Sequence, residues 1–276
     1  MPRERADRSR RSPLMPELPE AQTNRRRIDD HCLNRTIEAA ELGDDTTYIE
    51  LPGDNERGRL VGHRFTQTRR HGKLIFAGSK SGPWICVHLG MTGKLLPYDE
   101  GEEDRPDYTK FLIRFEGSRR LAFRCPRKLG WVRVIDDPDA HIAEIGFGPD
   151  ALEIGEDAFR EVIGSTNGTI KGALLAQRKL AGVGNLWSDE TLFQTGIHPA
   201  TKASSLSDSQ LGDLYIVMRD VLTGVCDTDA TYSELPDDWL IRHRKTGETC
   251  RRCNGTIVKR KVGGRSAYFC DTHQAQ

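Results

Sequence analysis

The 276-residue chain has no apolar run of about 18 residues, the length a membrane-spanning helix needs. It also lacks a net charge, because 41 Lys and Arg balance 41 Asp and Glu. A zero sum argues against a strong electrostatic partner only if the charges are mixed. The first fourteen residues, MPRERADRSRRSPL, are basic but contain no apolar stretch, so they do not read as a secretory signal and a cytoplasmic location is the default. No internal repeat is visible. Hydrophobic residues make up 36% of the chain, enough for one large domain or two modest ones with a small module.

The charges are not mixed. Residues 240–276 carry Arg242, Arg244, Lys245, Arg251, Arg252, Lys259, Arg260, Lys261 and Arg265 against Glu248 and Asp271. Acid gathers instead at 99–107 and 208–238. Such segregation lets a neutral chain offer one cationic face, although charge alone leaves ordinary solvated surface equally open. Of the seven cysteines, Cys32, Cys86, Cys125 and Cys226 are scattered and read as small core residues of a reducing compartment.

Residues 20–33 have helical spacing after Pro19, with Ala21, Ile28 and Leu33 inward. From 60 to 135 the pattern is that of strands: LVGHRF, KLIFAG, WICVHLGM, KFLIRFEG, RLAFR and WVRVID, with hairpin loops at 80–82 and 116–118. This half predicts a β-sandwich or flattened barrel with a helix packed on it. After Gly148-Pro149 the spacing turns helical, over 156–163, 169–178, 187–194 and 207–223, the last with Ser207 as N-cap. Residues 224–246 read as a connector and 247–274 as a separate module.

That module holds Cys250-Arg-Arg-Cys253 and Cys270-Asp-Thr-His273, two ligand pairs around a stretch with Gly263-Gly264 at its turn. Three thiolates and an imidazole make a closed tetrahedral zinc site, structural rather than catalytic. A segment this short has no core, so the metal supplies most of its folding free energy. Its cationic hairpin suits phosphate contacts. A second feature is the turn Leu180-Ala-Gly-Val-Gly-Asn-Leu-Trp187, where Gly182 and Gly184 permit close approach and Asn185 opens a helix whose free N–H groups suit a phosphate. Read alone, glycines between helices are more often simple turn formers.

Together these segments resemble the formamidopyrimidine-DNA glycosylase/endonuclease VIII family, from Met15 almost to the end. The resemblance rests on MPELPEAQTNRR, RRHGKLIF, HLGMTGKL, CPRKLGW and AGVGNLWSDETLFQTGIHP, followed by the zinc hairpin. It implies an α+β multidomain fold: a β-sandwich with an active-site helix, a helix–two-turn–helix domain and a zinc-finger β-hairpin. The expected division is an extension at 1–15 absent from the mature protein, a catalytic domain at 16–148, a DNA-binding domain at 149–246 and the finger at 247–276.

The resemblance implies a bifunctional glycosylase/AP lyase of base excision repair acting on damaged double-stranded DNA. It is expected to work as a monomer, associated with the nucleoid but not with membrane, and to hold one structural zinc. Pro16, freed by a start at Met15 and loss of that methionine, is the amine nucleophile; Glu17 is the general acid/base, and Lys73, on a strand beside Arg69 and Arg70, contacts phosphate near the lesion. Glu20 is a further acid of the active-site helix. Lys171, Asn185 and Arg265 are implied DNA contacts, and Met91, Arg127 and Leu129 fill the gap left by the flipped base. Taken singly, Glu17 could be a carboxylate at a helix start, Lys73 a solvated strand-edge charge, Met91 a core residue, and Arg127 and Arg265 surface cations.

Two positions depart from the family pattern: Leu129 replaces an intercalating phenylalanine and His273 a cysteine. The segment from Gly224 to Cys250 is also shorter than the loop that caps 8-oxoguanine. Ring-opened purines, oxidised pyrimidines and abasic sites therefore stay open as substrates. Two other readings remain at this level: a catalytically silent DNA- or RNA-binding protein, and an unrelated zinc-stabilised structural protein.

Overall fold

A computed structural model describes residues 15–275. The expected extension at 1–15 lies outside the described residues apart from Met15. Helix α1 (Leu18–Cys32) is followed by β1 (Ile37–Leu42), a short α2 (Asp54–Gly58) and strands β2 (Gln67–His71), β3 (Leu74–Gly78), β4 (Trp84–His88), β5 (Lys94–Asp99), β6 (Thr109–Phe115), β7 (Arg119–Arg124) and β8 (Trp131–Ile135). Then come α3 (Pro138–Ile145), α4 (Glu156–Gly164), α5 (Ile170–Leu175), α6 (Asn185–Thr195), α7 (Asp208–Asp227), α8 (Leu240–His243) and the hairpin β9 (Ile257–Val262) and β10 (Arg265–Cys270).

The eight strands form two antiparallel four-stranded sheets, ordered β1-β6-β7-β5 and β2-β3-β4-β8. Their inner faces meet in one core with Ile75, Val87, Ile113, Phe123 and Val132, closed at one side by Ala21, Ile28 and Cys32 of α1. Strand β3 is buried along its whole length. Its outer residues Leu74 and Phe76 pack with Trp84 and Cys86 under Ile142, Ile145 and Phe147, which belong to or follow α3. A strand covered on both faces reads as a continuous apolar run, which is why KLIFAG was conspicuous. Helices α4 to α7 enclose a second core around Phe159, Leu174, Trp187 and Met218. Leu18 of α1 belongs to this second core, so one helix is buried in both.

Several sequence expectations change. LVGHRF is not a strand: Gly62 takes a left-handed φ of 81°, and only Leu60 and Phe65 of the segment are fully buried apolar residues. Strands β1, β2 and β5 escaped the pattern because each mixes polar or half-exposed residues along the sheet edges. Helix α1 starts at Leu18, with Pro19 in the first turn, where a missing N–H costs nothing. Helix α5 stops at Leu175 because the Gln177 amide donates to Leu175 and Val183 carbonyls and accepts from Gly182 N–H, winding 176–183 into a turn. Helix α7 runs past Gly224 to Asp227, since Val225 and Cys226 continue its buried face.

The sandwich and the helical part are joined by a buried ion pair. Asp150, fully buried, accepts two bonds from the Arg70 guanidinium and one each from the N–H groups of Gly72 (2.6 Å) and Leu152 (2.9 Å). Removing one partner of such a pair leaves the other charge buried and unpaired. Asp150→Ala is expected to lower unfolding stability by about 3–5 kcal/mol in urea titration, whereas a loss below about 1 kcal/mol would show the junction to be solvent-screened.

Candidate active site and nucleic-acid interface

Helix α1 delivers residues 15–17 to the point where the sandwich meets α6. Glu17 is 2% exposed. Its carboxylate accepts from the N–H groups of Gly184 (2.8 Å), Leu186 (2.7 Å) and Trp187 (3.2 Å), the first turn of α6. The N–H groups read from sequence as open to a phosphate are therefore taken by this carboxylate. The carboxylate caps a helix remote in sequence, not its own. Gly184 is required here by contact: a Cβ on it would overlap the Glu17 carboxylate. Burial pushes the Glu17 carboxyl up to about 7, against the opposing pull of Lys73 and of the Leu186 and Trp187 N–H groups. Glu20 accepts from Glu17 N–H (2.8 Å) and from the Tyr232 hydroxyl (2.6 Å).

Lys73 lies in the turn between β2 and β3, not on a strand, and its flanking arginines face away: Arg69 pairs with Asp139 and Arg70 with Asp150. Burial lowers the Lys73 ammonium pKa, while the Glu17 and Glu20 carboxylates raise it. Lys73 lines a cleft of about 530 Å³ with Glu17, His88, Asn185, Arg244 and Arg265. Asn185 Oδ1 is buried there with no partner among the described residues. Pro16 opens instead into a neighbouring cavity of about 420 Å³ that also holds Glu20 and Met91.

Met91 follows β4, and Arg127 and Leu129 precede β8. These strands are antiparallel neighbours with His88 opposite Trp131, so the register sets the three residues at one end of the sheet. Arg127 is exposed and Leu129 53% exposed.

Lys171 is the clear correction. It is fully buried, paired with the equally buried Asp189 of α6 and bonded to the Ser266 carbonyl (3.2 Å). A side chain so enclosed cannot reach DNA. Asp189 also accepts from Arg244 (2.7 Å) and from Tyr268 N–H (3.1 Å), so the cluster ties the β9–β10 hairpin to α6. This tie holds Arg265, the first residue of β10, over the cleft.

Three residues that line the site escaped sequence reasoning. His88 sits in the quoted HLGM segment and stacks on Trp131 at 5.6 Å. Gly90 N–H donates to its Nδ1 (3.3 Å), leaving the ring proton on Nε2, and burial, then Lys73, pushes its pKa down to about 4. It is a neutral donor at the cleft. Arg244 and Tyr232 come from the connector, where nothing in the local pattern distinguishes them.

At the other end of the chain the Sγ atoms of Cys250, Cys253 and Cys270 lie within 4.8 Å of one another. Backbone N–H groups of Arg252, Gly255 and His273 point at the three sulfurs at 3.4, 3.4 and 3.3 Å, the environment that stabilises thiolates. Gly263 and Gly264, with φ of 54° and 80°, make the tight turn of the hairpin. The donor set fits one structural zinc. The His273 ring is not gathered with the thiols: its Nε2 is 2.7 Å from the Phe193 carbonyl.

If Gly184 is what admits the carboxylate, Gly184→Ala is expected to reduce by at least about 100-fold the single-turnover base excision that the sequence resemblance implies, with the circular dichroism of the folded protein retained. Excision within threefold of wild type would separate the Glu17 contact from function.

Comparison with known proteins agrees with this geometry. Residues 15–132 match the formamidopyrimidine-DNA glycosylase N-terminal domain, 145–236 the helix–two-turn–helix domain of the same enzymes, and 247–272 a zinc finger found in FPG and IleRS. The formamidopyrimidine-DNA glycosylase of Synechocystis is 32% identical over 93% of this chain and 97% of its own length. That of Exiguobacterium is 30% identical, over 93% and 98%. The Lactococcus lactis enzyme bound to DNA containing an AP site superposes with a TM-score of 0.82 at 25% identity, covering 95% of this chain and all of that one. Its mutant with Fapy-dG-containing DNA gives 0.82 at 27%. With relatives this similar over nearly their full lengths, the chain belongs to the formamidopyrimidine-DNA glycosylase family, the DNA glycosylases of base excision repair.

Proposed function

We propose that the catalytic form begins at Pro16 and that its secondary amine attacks C1′ of a damaged nucleotide flipped out of double-stranded DNA. The observation that carries this is the adjacency of Pro16, at a cavity, to a buried Glu17 that keeps a proton up to about pH 7. The bond from C1′ to the base breaks with its electron pair on the base. The departing base takes up the proton that the secondary amine loses, Glu17 gives its proton to O4′ as the sugar ring opens, and the freed nitrogen lone pair forms the C=N bond of an iminium. Loss of a C2′ proton then expels the 3′-phosphate, and further elimination the 5′-phosphate. Lys73, Asn185 and Arg265, with the Nε2–H of His88, donate to the phosphates around the lesion, and Met91, Arg127 and Leu129 occupy the vacated stack. The protein acts as a monomer.

Borohydride should trap a covalent adduct on damaged duplex, located at Pro16 by mass spectrometry and absent when one added residue precedes Pro16. An undiminished adduct in that blocked form would overturn the mechanism. The same assay has a pH signature. Because the folded carboxyl titrates near 7, the acid is lost, and kcat/KM falls, as pH rises through that value. Lys73 lowers the Glu17 pKa, so Lys73→Gln moves this falling limb to higher pH.

In this reading His273, whose ring nitrogens lie outside the thiol cluster, turns toward the three sulfurs to complete the zinc site. A carbonyl only accepts, so the contact with Phe193 puts the ring proton on Nε2 and leaves the Nδ1 lone pair for metal. Cobalt(II) in place of zinc should give the spectrum of three sulfurs and one nitrogen, and His273→Ala should weaken metal affinity at least about tenfold. Unchanged affinity in that variant would exclude the ligand.

A further inference from the structure

The loop between β1 and α2 displays an aromatic side chain that the fold does not use. Tyr48 is 95% exposed, more than any other large hydrophobic side chain among the described residues. Its φ of 64° is left-handed, a conformation that residues with bulky side chains avoid. Among the described residues its ring meets no other ring and no cation. Tyr108, also exposed and left-handed, has Arg124 over its ring by contrast. The Tyr48 loop is nonetheless anchored. Lys110 Nζ donates to the carbonyls of Asp44 (2.8 Å) and Asp45 (3.1 Å), and the Glu50 carbonyl accepts from Val132 N–H (3.1 Å). Ile49 and Leu51 pack on the sandwich core. A strained residue held outward on an anchored loop points to a role outside the fold.

The same anchors give its location. Asp45 pairs with Lys128 (2.5 Å), and Glu50 forms a β-bridge with Trp131. The loop therefore runs beside residues 128–131, which include Leu129. Gly90, which precedes Met91, packs on that segment so closely that a Cβ would overlap the Leu129 carbonyl carbon. The acids of the loop leave no free negative charge to repel a polyanion, because Asp44, Asp45 and Glu50 are taken by Arg105, Lys128 and Arg133. We propose that Tyr48 stacks on the unpaired base of the undamaged strand, opposite the lesion. The inference rests on the function proposed above, which sets Met91, Arg127 and Leu129 in the vacated stack. Leu129 is an apolar wedge with no π face. Arg127 can donate to a base edge, which leaves the plane of that base uncovered. An aromatic ring covers the plane, and because every base has a π face the contact tolerates any sequence. A loop fixed before DNA arrives spends little ordering on the contact.

Affinity is measured for a duplex carrying a tetrahydrofuran abasic-site analogue opposite 2-aminopurine, and for the same duplex with thymidine in place of the analogue. The variants are Tyr48→Asn and Tyr48→Phe. Asparagine tolerates a left-handed φ, so Tyr48→Asn should resist urea at least as well as wild type. It should bind the abasic duplex at least about fivefold more weakly, with affinity for the intact duplex within about twofold. The 2-aminopurine fluorescence, quenched by stacking in the wild-type complex, should rise in the Tyr48→Asn complex. Tyr48→Phe keeps the ring and should keep wild-type affinity. Unchanged affinity and fluorescence in Tyr48→Asn would overturn the inference. So would an equal loss for both duplexes, which would make Tyr48 a backbone contact, or a loss shared by Tyr48→Phe, which would assign the effect to the hydroxyl. Wild-type protein that binds the two duplexes alike would overturn the proposed function first, and this inference with it.

Discussion

One carboxylate fixes the geometry on which everything else depends. Glu17 is buried, and a buried carboxylate must find donors. The first turn of α6 supplies three N–H groups and the positive end of a helix dipole. Because Leu18 lies in the helical core while Ala21, Ile28 and Cys32 lie in the sandwich core, this contact sets α1 in register with both. The same helix α6 carries Asp189, which holds the β9–β10 hairpin, and Phe193, whose carbonyl meets His273. Residues from three regions distant in sequence are thus referenced to a single rod. An error in the seat of Glu17 would be transmitted to Asn185 at once and to Arg265 through Asp189.

A raised carboxyl pKa does not by itself mark the reactive acid. Glu190, on the next turn of α6, is also buried, and burial likewise pushes its carboxyl up to about 7. It accepts from the N–H groups of Leu240 (3.0 Å) and Ile241 (2.8 Å), at the start of α8. Two carboxylates therefore do the same structural work, each closing a helix start. Only Glu17 borders a cleft and has Lys73 beside it. Access to the cleft, more than titration or a neighbouring cation, which Glu190 also has in Arg252, separates the acid of the proposed mechanism from its structural counterpart.

How much of this was legible in the sequence follows from where each signal resides. Strands β3 and β4 were plain because both faces are buried, and the metal module because ligand spacing is a local property. Glu17 was legible as an acid, but not as the cap of α6, because that contact joins residues 167 or more apart. Lys171 misled for the opposite reason. A lysine in a helical segment of a DNA-binding family looks like a phosphate contact, and only tertiary structure supplies the buried Asp189 that consumes it. Tyr232 and Arg244 lie in a connector with no periodicity, so their meeting with Glu20 and with the cleft could not be read from spacing.

The zero net charge is resolved by the same accounting of partners. Two acids of the run near residue 100 are spent on the sandwich: Asp99 pairs with Arg119 and Glu100 with Arg120. On the far face of α1 and β2, Arg25, Arg26, Arg69 and Arg70 are each matched by an aspartate. Among the described residues no such partner meets Arg27, Lys94, Arg124, Arg127 or Arg265, nor Lys259, Arg260 and Lys261 of the hairpin. Three of these line the cavity at Pro16, and Arg265 the adjoining cleft. A chain can therefore be neutral in sum and still present positive potential where a polyanion would lie, because pairing removes cations from the surface selectively. What counts for binding is the charge left unpaired after folding, and four of these cations border the cavity and cleft beside Glu17.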